Sequence, residues 1–524
     1  MYYPNVKTAA DTLAFHAARQ PDQVALVCEG RQVTYEQLHQ ESNRTARALS
    51  AHGLGGGTRV AYLGQESERY YEIFFACAKS GAVLVPINWR LTHGEIGHIL
   101  RDSRADLIFV EPGYLNEDLH ARPGSASPRT VVALDRPDGP PGSGLEDWKA
   151  GQSADDLTMA VTPDDPLVQL YTSGTTGLPK GVVLAHRSFF AIRDLLAIHG
   201  LDWITWNPDD ISLIGIPGFH VAGIWWAMQG FNAGVTNVAM RMFTGHDAVR
   251  LVRDQRITTT CVVPAMLQMM LSQSDNPAQD FASLRTVAYG GSPISDTLMR
   301  RSADALNCDL VQLYGLTESG NTALCLPAAE HVQSSRRAGA AGRPYPGIAV
   351  KVIGSDGSTL PQGSTGEICL RTPAAMLEYW GMEEATARTL TDGWLRTGDA
   401  GHLDEDGYVY ILDRIKDTVI VAGENVYPAE VENALCAHPA VAEAAVIGVP
   451  DDTWGEAVRA FIVPRPGQAV KPRELKLFLR DRLADFKSPT QYEFIARVPR
   501  NPSGKILRRE LREEFWAGRD RNVN

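Results

Sequence analysis

The sequence predicts an α/β protein: a large N-terminal part with two α/β units and a small β unit, followed by a compact α+β tail. Short apolar runs alternate with amphipathic helical stretches from Thr12 to about residue 163, which is typical of a parallel sheet covered on both faces. From about Gly342 the pattern changes to short strands separated by Gly, Pro and Asp. After Asp413 it changes again, to a separable unit of about a hundred residues.

Size and composition restrict the possible functions. A chain of 524 residues is too long for one core and indicates roughly three domains or subdomains. The net charge of −12 argues against a nucleic-acid partner or an anionic membrane surface. The seven cysteines are scattered without a C-x-x-C pair, and the N-terminus has no signal-peptide pattern. We therefore expect a cytoplasmic protein with reduced thiols. A homodimer is one possible oligomeric state.

The elements can be assigned in order along the chain. In the first unit we predict strands at 59–63, 81–87 and 107–110, a helix at 67–80 and a long loop at 122–144. In the second unit, which begins at residue 171, we predict helices at 188–196 and 264–271 and strands at 210–215, 259–263 and 286–289. The β unit has strands at 349–353, 366–371 and 408–412. The tail has helices at 428–437 and 473–483 and strands at 443–448 and 458–463.

One long segment has to be tested as a membrane span. Residues 211–240 contain no Asp, Glu, Lys or Arg. Pro217, several glycines, Gln229 and two asparagines interrupt any spanning helix. A buried helix that lines an apolar pocket is the better interpretation, and we expect no transmembrane segment.

The stretch Tyr171–Gly181 is the densest polar motif of the chain. It combines three glycines, five hydroxyl side chains and one lysine, and apolar strand-like runs lie on both sides. Glycines allow several backbone N–H groups to face one anion, and hydroxyls and lysine add donors and charge. The spacing differs from a Walker A loop because Gly181, not Ser or Thr, follows Lys180. A mobile surface loop is the competing interpretation, but the motif favours phosphate binding.

Four further polar clusters follow apolar runs or turns. They are Tyr289–Pro293, Tyr314–Ser319, Leu395–Asp399 and Asn501–Lys505. Open α/β sheets bind ligands where their strands end, and Glu318 offers a hard oxygen for Mg²⁺. Asp399 on a glycine turn suits a pair of ribose hydroxyls. Taken singly, each of these residues is more commonly a surface or core residue.

Together these motifs resemble the ordered motif set of the adenylate-forming (AMP-binding) superfamily, which includes acyl-CoA synthetases, luciferases and peptide-synthetase adenylation domains. The resemblance covers nearly the whole chain. Its most specific pieces are Tyr171–Gly181, Tyr314–Glu318, Leu395–Asp399, Gly423–Glu432 and Pro502–Lys505. It implies an N-terminal domain at 1–413 with a β-barrel-like subdomain at about 342–413, a hinge at 414–416, and a mobile C-terminal domain at 417–524.

The resemblance also implies a two-step reaction that uses ATP, Mg²⁺ and coenzyme A. A carboxylic acid first forms an acyl-adenylate with release of pyrophosphate, and a thiol then displaces AMP. By similarity to the fatty-acid and aryl-acid CoA ligases, we expect a medium- to long-chain fatty acid as substrate, with an aromatic acid as the second candidate. Three further hypotheses stay open: a stand-alone adenylation enzyme that loads a carrier protein, a luciferase-like oxygenase, and a non-catalytic nucleotide-binding protein.

The roles of individual residues follow from the resemblance alone. The nucleotide would be bound by Thr172, Ser173, Gly174, Thr175, Thr176, Gly177, Lys180, Gly291, Ser292, Tyr314, Gly315, Asp399 and Arg414. The catalytic residues would be Lys505, Thr317, Glu318 and His220, with Glu318 as the metal ligand. Lys416 would be the hinge, and Gly423 and Glu424 would line the CoA tunnel.

The acyl pocket would be formed by His220, Ala222, Gly223, Trp226, Gly290 and Leu313. Ala222 and Gly223 are expected to leave room next to His220, and tryptophans 225 and 226 to close the pocket further on. Leu313 stands where many relatives with flat or long substrates have glycine, so its side chain should narrow the pocket.

Overall fold

The architecture comes from a computed structural model of the chain. It describes residues 1–114, 130–134, 144–157, 161–172, 179–331, 337, 339–451, 453–500 and 506–517.

The strands are numbered in chain order. The first ten are β1 (Val24–Cys28), β2 (Arg31–Thr34), β3 (Arg59–Leu63), β4 (Val83–Ile87), β5 (Leu107–Val110), β6 (Thr130–Ala133), β7 (Pro166–Thr172), β8 (Lys180–Ala185), β9 (Ile211–Ile214) and β10 (Thr236–Ala239). The next eight are β11 (Thr259–Val262), β12 (Thr286–Gly290), β13 (Asp309–Tyr314), β14 (Leu324–Leu326), β15 (Arg343–Pro344), β16 (Ala349–Ile353), β17 (Gly366–Arg371) and β18 (Glu378–Tyr379). The last eight are β19 (Leu390–Thr391), β20 (Trp394–Leu403), β21 (Val409–Arg414), β22 (Val419–Val421), β23 (Glu424–Val426), β24 (Val441–Asp451), β25 (Gly455–Pro464) and β26 (Gln491–Phe494).

The helices follow the same convention. The first eight are α1 (Ala9–Arg19), α2 (Tyr35–Ala51), α3 (Glu68–Ser80), α4 (His93–Ser103), α5 (Leu145–Trp148), α6 (Ala191–Ile198), α7 (Val221–Ala233) and α8 (Gly245–Asp254). The remaining seven are α9 (Pro264–Gln273), α10 (Pro277–Asp280), α11 (Asp296–Leu306), α12 (Glu383–Thr389), α13 (Pro428–Cys436), α14 (Pro472–Leu479) and α15 (Arg508–Trp516). Side-chain hydroxyls of Thr8, Thr34, Ser67 and Thr92 cap the helices α1 to α4, because each accepts a hydrogen bond from an amide of the first turn.

The first sheet has seven strands in the order β18-β8-β7-β4-β3-β5-β6. Its central strands are parallel, as the alternating pattern predicts. Strands β7 and β8 form an antiparallel hairpin within this same sheet. The expectation that residue 171 begins a second unit is therefore wrong, because the hairpin extends the first sheet.

The second sheet has nine strands in the order β15-β14-β13-β12-β11-β9-β10-β1-β2. Strands β1 and β2 come from the N-terminus, whereas the others lie between residues 211 and 344. Because β1 pairs with β10 across more than two hundred residues of sequence, the unit is discontinuous in the chain. A local pattern carries no signal for such a pairing.

Two smaller sheets complete the chain. Strands β16, β17, β19, β20 and β21 form a five-stranded antiparallel sheet. Strands β22 to β26 form another five-stranded sheet, against which α13 and α15 pack. The first ends at Arg414 and the second begins at Val419, so the sheets change where the sequence predicts the hinge. The exact domain boundary at residue 413 stays a prediction.

Most predicted elements are confirmed, with three differences. The predicted loop at 122–144 contains the strand β6, and most of its remaining residues lie outside those that the structure describes. The predicted helix at 188–196 begins as a 3₁₀ turn at His186–Phe189, and α6 follows it. Helix α14 ends at Leu479 instead of residue 483.

The uncharged segment 211–240 forms β9, α7 and β10. Helix α7 is buried over most of its circumference, and Trp225 and Trp226 are each 1% exposed. A helix that is apolar on all sides belongs inside a large core. Among the described residues, no helix has the length and apolar character needed to span a bilayer.

A buried ion-pair cluster ties α2, α3 and α5 together. The Lys149 ammonium lies 2.6 Å from a carboxylate oxygen of Glu41, 2.7 Å from one of Glu72 and 3.1 Å from one of Glu146. The side chains of Lys149 and Glu72 are 2% and 3% exposed. Burial alone would raise the pKa of Glu72, but Lys149 and Arg69 lower it below its ordinary value. The three carboxylates therefore hold a lysine and do not form a metal site.

Replacing Lys149 by Met should lower the free energy of unfolding by about 3–5 kcal/mol, because Glu72 would be left buried without its main cation. Urea denaturation measures this change. The control is Glu146→Gln, which removes the 58% exposed partner of the same lysine and should change the free energy of unfolding by less than about 1 kcal/mol. Equal effects of the two substitutions would contradict the importance of burial.

Candidate active site

Polar side chains converge where β12 and β13 end. The two strands are parallel neighbours, and Gly290 at the end of β12 is the register partner of Leu313 in β13. Gly291 and Ser292 follow the first strand, and Gly315 follows the second. The predicted nucleotide-binding motifs around residues 290 and 315 are thus adjacent at one edge of the second sheet, as expected for the carboxyl ends of parallel strands.

Tyr314 contacts an ion pair of the small antiparallel sheet. Asp399 on β20 and Arg414 on β21 are register partners, and their Oδ1 and Nε atoms are 2.8 Å apart. The Tyr314 hydroxyl donates to Oδ2 of Asp399 over 2.5 Å. Burial and the Asp399 carboxylate raise the pKa of Tyr314 well above its ordinary value, so the hydroxyl keeps its proton. Three predicted nucleotide-binding residues therefore form one hydrogen-bonded group.

Asp399 is 4% exposed, and each of its carboxylate oxygens has a partner. Although burial lowers the pKa of Arg414, the Asp399 carboxylate and the neighbouring acidic groups raise it above its ordinary value. Arg414 also donates to the carbonyl oxygen of Thr397 over 3.1 Å. The group is therefore a fixed arrangement of one anion and one cation.

The hairpin β7–β8 carries the glycine-rich motif. Thr172 and Lys180 are register partners at the last pair of this hairpin, so backbone pairing fixes the first and last of the predicted phosphate-binding residues. The predicted phosphate-binding residues Ser173, Gly174, Thr175, Thr176 and Gly177 lie outside the described residues.

Lys180 and Glu318 both contact Tyr379, a residue that the sequence analysis did not identify. The Tyr379 hydroxyl donates to Oε1 of Glu318 over 2.8 Å, and the Lys180 ammonium lies 5.3 Å from the centre of the Tyr379 ring. Tyr379 reaches this position because the short strand β18 pairs with β8. A two-residue strand paired across almost two hundred positions has no local sequence signal.

Glu318 is the predicted metal ligand, and its environment suits that role. It lies in the 3₁₀ turn Thr317–Ser319, half-buried, and only Oε1 takes part in a hydrogen bond among the described side chains. A carboxylate oxygen is a hard ligand of the kind that Mg²⁺ prefers. Thr317 stands directly before it in the same turn.

His220 forms the N-cap of α7 and packs against Phe219, with ring centroids 4.7 Å apart. Burial, with a smaller effect of Arg90, lowers the pKa of His220 to about 4. Its Nε2 has no hydrogen-bond partner in the described part of the chain. The ring is therefore neutral at physiological pH and has an unsatisfied polar atom.

The predicted acyl pocket needs one correction. A Cβ atom on Gly223 would lie 2.3 Å from the carbonyl oxygens of both Ile216 and Pro217, so backbone already fills the space next to this glycine. The expectation that Gly223 leaves room for a substrate is wrong. Trp226 is buried and packs on Trp206, with ring centroids 5.1 Å apart.

A cavity of about 340 Å³ lies on another face of α7. It is lined by Trp225 and Gln229 of the helix, by α6, and by the N-terminal residue Met1. None of the six residues predicted for the acyl pocket lines it. The cavity is thus distinct from the position that the sequence predicts for the acyl group.

The predicted hinge begins where acidic residues meet α15. Arg508 makes two hydrogen bonds of 2.8 Å with the Glu432 carboxylate, and its Nη1 lies 3.8 Å from Asp413 and from Asp417. Lys416 lies in the 3₁₀ turn between these two aspartates and is exposed. Lys505, three residues before Arg508, lies outside the described residues.

Gly423 and Glu424 form the tight β22–β23 turn and are exposed. Gly423 has a φ of +86°, which favours glycine, and a Cβ atom there would meet open space. No hydrogen bond or ion pair joins this turn to the Tyr314 or Glu318 groups in the described structure.

Family comparisons cover both parts of the chain. The family model described as "AMP-binding enzyme" matches residues 13–380, and the one described as "AMP-binding enzyme C-terminal domain" matches residues 430–505. All the site groups between Thr172 and Tyr379 fall in the first match. Asp399, Arg414, Gly423 and Glu424 lie between the two matches.

Two relatives illustrate the range of similar proteins. A fatty acid–[acyl-carrier-protein] ligase of Streptomyces coeruleorubidus is 59% identical over 527 residues, which cover 100% of this chain and 99% of that protein. A long-chain-fatty-acid–CoA ligase of Mycobacterium tuberculosis is 36% identical, with 93% of each chain covered. The structure of ATP-bound MatB from Rhodopseudomonas palustris has a TM-score of 0.88 at 30% identity, covering 97% of this chain and 99% of that one.

The titration of His220 provides a test of this site. We expect its imidazole to remain neutral until the pH approaches about 4, because burial disfavours the charged form. NMR of ¹³C-histidine-labelled protein measures the midpoint, and a His220→Gln spectrum assigns the signal. In urea-unfolded protein the midpoint should return to about 6.5, so protonation of this group should destabilise the fold as the pH falls below that value. A folded-state midpoint near 6.5 would contradict the burial of the ring.

Proposed function

The chain belongs to the AMP-binding enzyme family of adenylate-forming ligases, and we propose that it activates a fatty acid with ATP and transfers the acyl group to an acyl carrier protein. In the first step a carboxylate oxygen attacks the α-phosphate, and the bond to pyrophosphate breaks. In the second step a thiol sulfur attacks the acyl carbonyl, AMP leaves, and the thiol gives up its proton. The products are a thioester, AMP and pyrophosphate.

The observation that carries this proposal is the convergence of two groups near the end of β13. The first consists of Tyr314, Asp399 and Arg414, and the second of Lys180, Tyr379 and Glu318. The first step joins two anions, so positioning and charge neutralisation must supply most of the catalysis. Both groups provide fixed charges before any ligand binds.

The Tyr314 group fits the nucleoside part of ATP. A carboxylate has about four lone-pair sites, so Asp399 can accept two ribose hydroxyls in addition to its present donors. Arg414 would hold the carboxylate in place and donate to the same hydroxyls. Tyr314 would offer its ring to adenine, next to the backbone of Gly315, with Gly291 and Ser292 on the neighbouring strand end.

The Lys180 group fits the phosphates. Lys180 would neutralise the β- and γ-phosphates together with the glycine-rich loop that precedes it, and Thr317 would donate to the α-phosphate. Glu318 would hold Mg²⁺, which supplies further neutralisation when it is bound with ATP. Tyr379 would orient the Glu318 carboxylate, because its hydroxyl donates to one of the two oxygens.

A carrier protein is favoured as acceptor by the relative of 59% identity, which is described as a fatty acid–[acyl-carrier-protein] ligase and which aligns over the full chain. Coenzyme A, which the sequence analysis predicts, is the second candidate. The specific observation in its favour is the 36% identical long-chain-fatty-acid–CoA ligase. Both acceptors end in a thiol, and the exposed turn at Gly423 and Glu424 would line the path of either.

A fatty acid is favoured as substrate because both of these relatives are described as acting on fatty acids. The neutral His220 would lie at the mouth of the acyl site, where a cation would compete with Lys505 for the carboxylate. Trp226 would limit the length of the chain, since it is buried and packs on Trp206. Leu313 at 6% exposure would narrow the same site.

The choice of acceptor can be tested directly. We expect AMP release with a medium-chain fatty acid to increase when a phosphopantetheinylated carrier protein is added, and more than with coenzyme A at equal concentration. The assay measures AMP and acyl thioester across fatty, aryl and short acids. The control is the same carrier protein without its phosphopantetheine arm, which has no thiol.

Faster thioester formation with coenzyme A would contradict the proposed acceptor and support the second candidate. A maximum on short or aromatic acids would contradict the proposed substrate. Absence of pyrophosphate release with every acid would contradict ligase activity itself.

Lys505→Ala separates the two half-reactions. We expect it to reduce adenylate formation by at least about a hundredfold, because it removes the cation proposed to neutralise charge between the carboxylate and α-phosphate. Thioester formation from a supplied acyl-adenylate should be largely retained. Arg509→Ala, which removes an exposed cation four positions away, is the matched control. Equal loss of both half-reactions would contradict the proposed role of Lys505.

A further inference from the structure

The segment that carries His220 is held by side chains from the start of α3. The backbone N–H of Gly218 donates to Oε2 of Glu66 over 2.9 Å. The Tyr70 hydroxyl donates to the carbonyl oxygen of the same glycine, also over 2.9 Å. Both backbone polar groups of Gly218, two residues before His220, are thus satisfied by residues far away in the sequence.

Gly218 and Tyr70 are also in close van der Waals contact. A Cβ atom on Gly218 would lie 2.4 Å from the Tyr70 hydroxyl oxygen and 2.5 Å from the adjacent ring carbon. The Tyr70 ring therefore occupies the space that any other side chain at position 218 would need. Tyr70 is 2% exposed and packs edge-on against Tyr62, with ring centroids 5.1 Å apart. The ring cannot move away without disturbing the core.

Glu66 is an unusual residue to find in this core. It is 4% exposed, its Oε1 accepts a hydrogen bond from the Tyr71 hydroxyl, and among the described residues no cation forms an ion pair with it. Burial raises the pKa of Glu66 to about 7, against the opposing effect of the hydrogen bonds from Tyr71 and Gly218. A buried carboxyl group without a cation costs folding free energy, and such groups are concentrated at functional sites.

The same residues also reach the body of α7. The ring of Tyr71 packs on Phe231, with centroids 5.2 Å apart. Ser67 caps α3, because its Oγ accepts the amide of Tyr70 over 3.3 Å. Glu66 therefore lies directly before the cap of α3, and Tyr70 and Tyr71 lie in its first turn. Glu66 and Tyr70 contact Gly218, which precedes α7, and Tyr71 contacts Phe231 near the end of α7.

We propose that Glu66, Tyr70 and Tyr71 form a clamp on Gly218 that positions His220 at the mouth of the acid-binding site. All three are positioning residues, because Glu66 and Tyr70 act on His220 through the backbone of residue 218 and Tyr71 holds the Glu66 carboxylate. The inference rests on the proposed function for its consequence, since it specifies what holds the acid site. The clamp itself is independent of that function.

Hydrogen–deuterium exchange tests the clamp without reference to activity. In the wild-type chain the Gly218 amide should exchange slowly, because it donates to a buried carboxylate. In Glu66→Ala, exchange at this amide should be at least about tenfold faster, as expected when a hydrogen bond to a charged group is lost. Glu66→Gln keeps the size and one acceptor oxygen and should restore most of the protection.

Steady-state pyrophosphate release tests the consequence. Tyr70→Phe should raise the KM for the fatty acid about tenfold, with the KM for ATP unchanged. The matched control is Tyr35→Phe, which removes a fully buried hydroxyl that donates to a backbone carbonyl, that of Val235, over 2.8 Å. This variant should lose similar stability and leave both KM values unchanged.

The outcomes separate a positioning role from a structural one. Unchanged protection of Gly218 in Glu66→Ala would overturn the clamp. Lost protection with an unchanged KM for the acid, or an equal rise of both KM values, would overturn the positioning role and leave a purely structural one. If the wild-type protein released no pyrophosphate with any acid, the proposed function would fail, while exchange at Gly218 would still decide whether the clamp exists.

Discussion

The hydrogen bond from Tyr314 to Asp399 connects the nine-stranded sheet to the small antiparallel sheet. Asp399 and Arg414 face each other on neighbouring strands, so backbone register brings their charges together independently of Tyr314. The Tyr314 hydroxyl then adds a hydrogen bond to Asp399 from the other sheet. Buried charges must be paired, and here an ion pair within one sheet receives a third contact from another sheet. The contact lies at the end of β13, three residues before the turn Thr317–Ser319 that holds Glu318. The predicted hinge at 414–416 begins with the same Arg414.

A second connection joins the first sheet to this arrangement. Residues 378–379 lie in sequence between β17 and β19 of the small sheet, yet they pair with β8 of the first sheet. This pairing brings Tyr379 between Lys180 and Glu318. Each of the three sheets in the N-terminal part therefore contributes side chains to one region. The residues proposed to bind ATP are widely separated in the sequence because they come from all three sheets.

Near the start of α7, two polar groups are buried without full compensation. His220 is neutral with an unsatisfied ring nitrogen, and Glu66 is a carboxyl group without a cation among the described residues. Either group alone reduces stability, since buried polar groups without full compensation are costly. The Lys149 cluster, by contrast, compensates its buried carboxylate with two cations. Among the described residues, Glu72 is thus compensated by cations and Glu66 by hydrogen bonds.

Most of the secondary structure and the family could be predicted from the amino-acid sequence. Short apolar runs predicted the bounds of β3 and β17 to the residue, because each strand is buried over a few consecutive positions. The motifs containing Lys180, Tyr314 and Asp399 were recognisable because each combines glycine with a polar group in a short span.

Other features became visible only in three dimensions. Strands β7 and β8 extend the first sheet, β1 completes the second, and Tyr379 joins Lys180 to Glu318. The space next to Gly223 is filled by backbone, and Gly218 is held by side chains from the start of α3. These features depend on backbone pairings and contacts between distant residues, for which a local pattern has no signal.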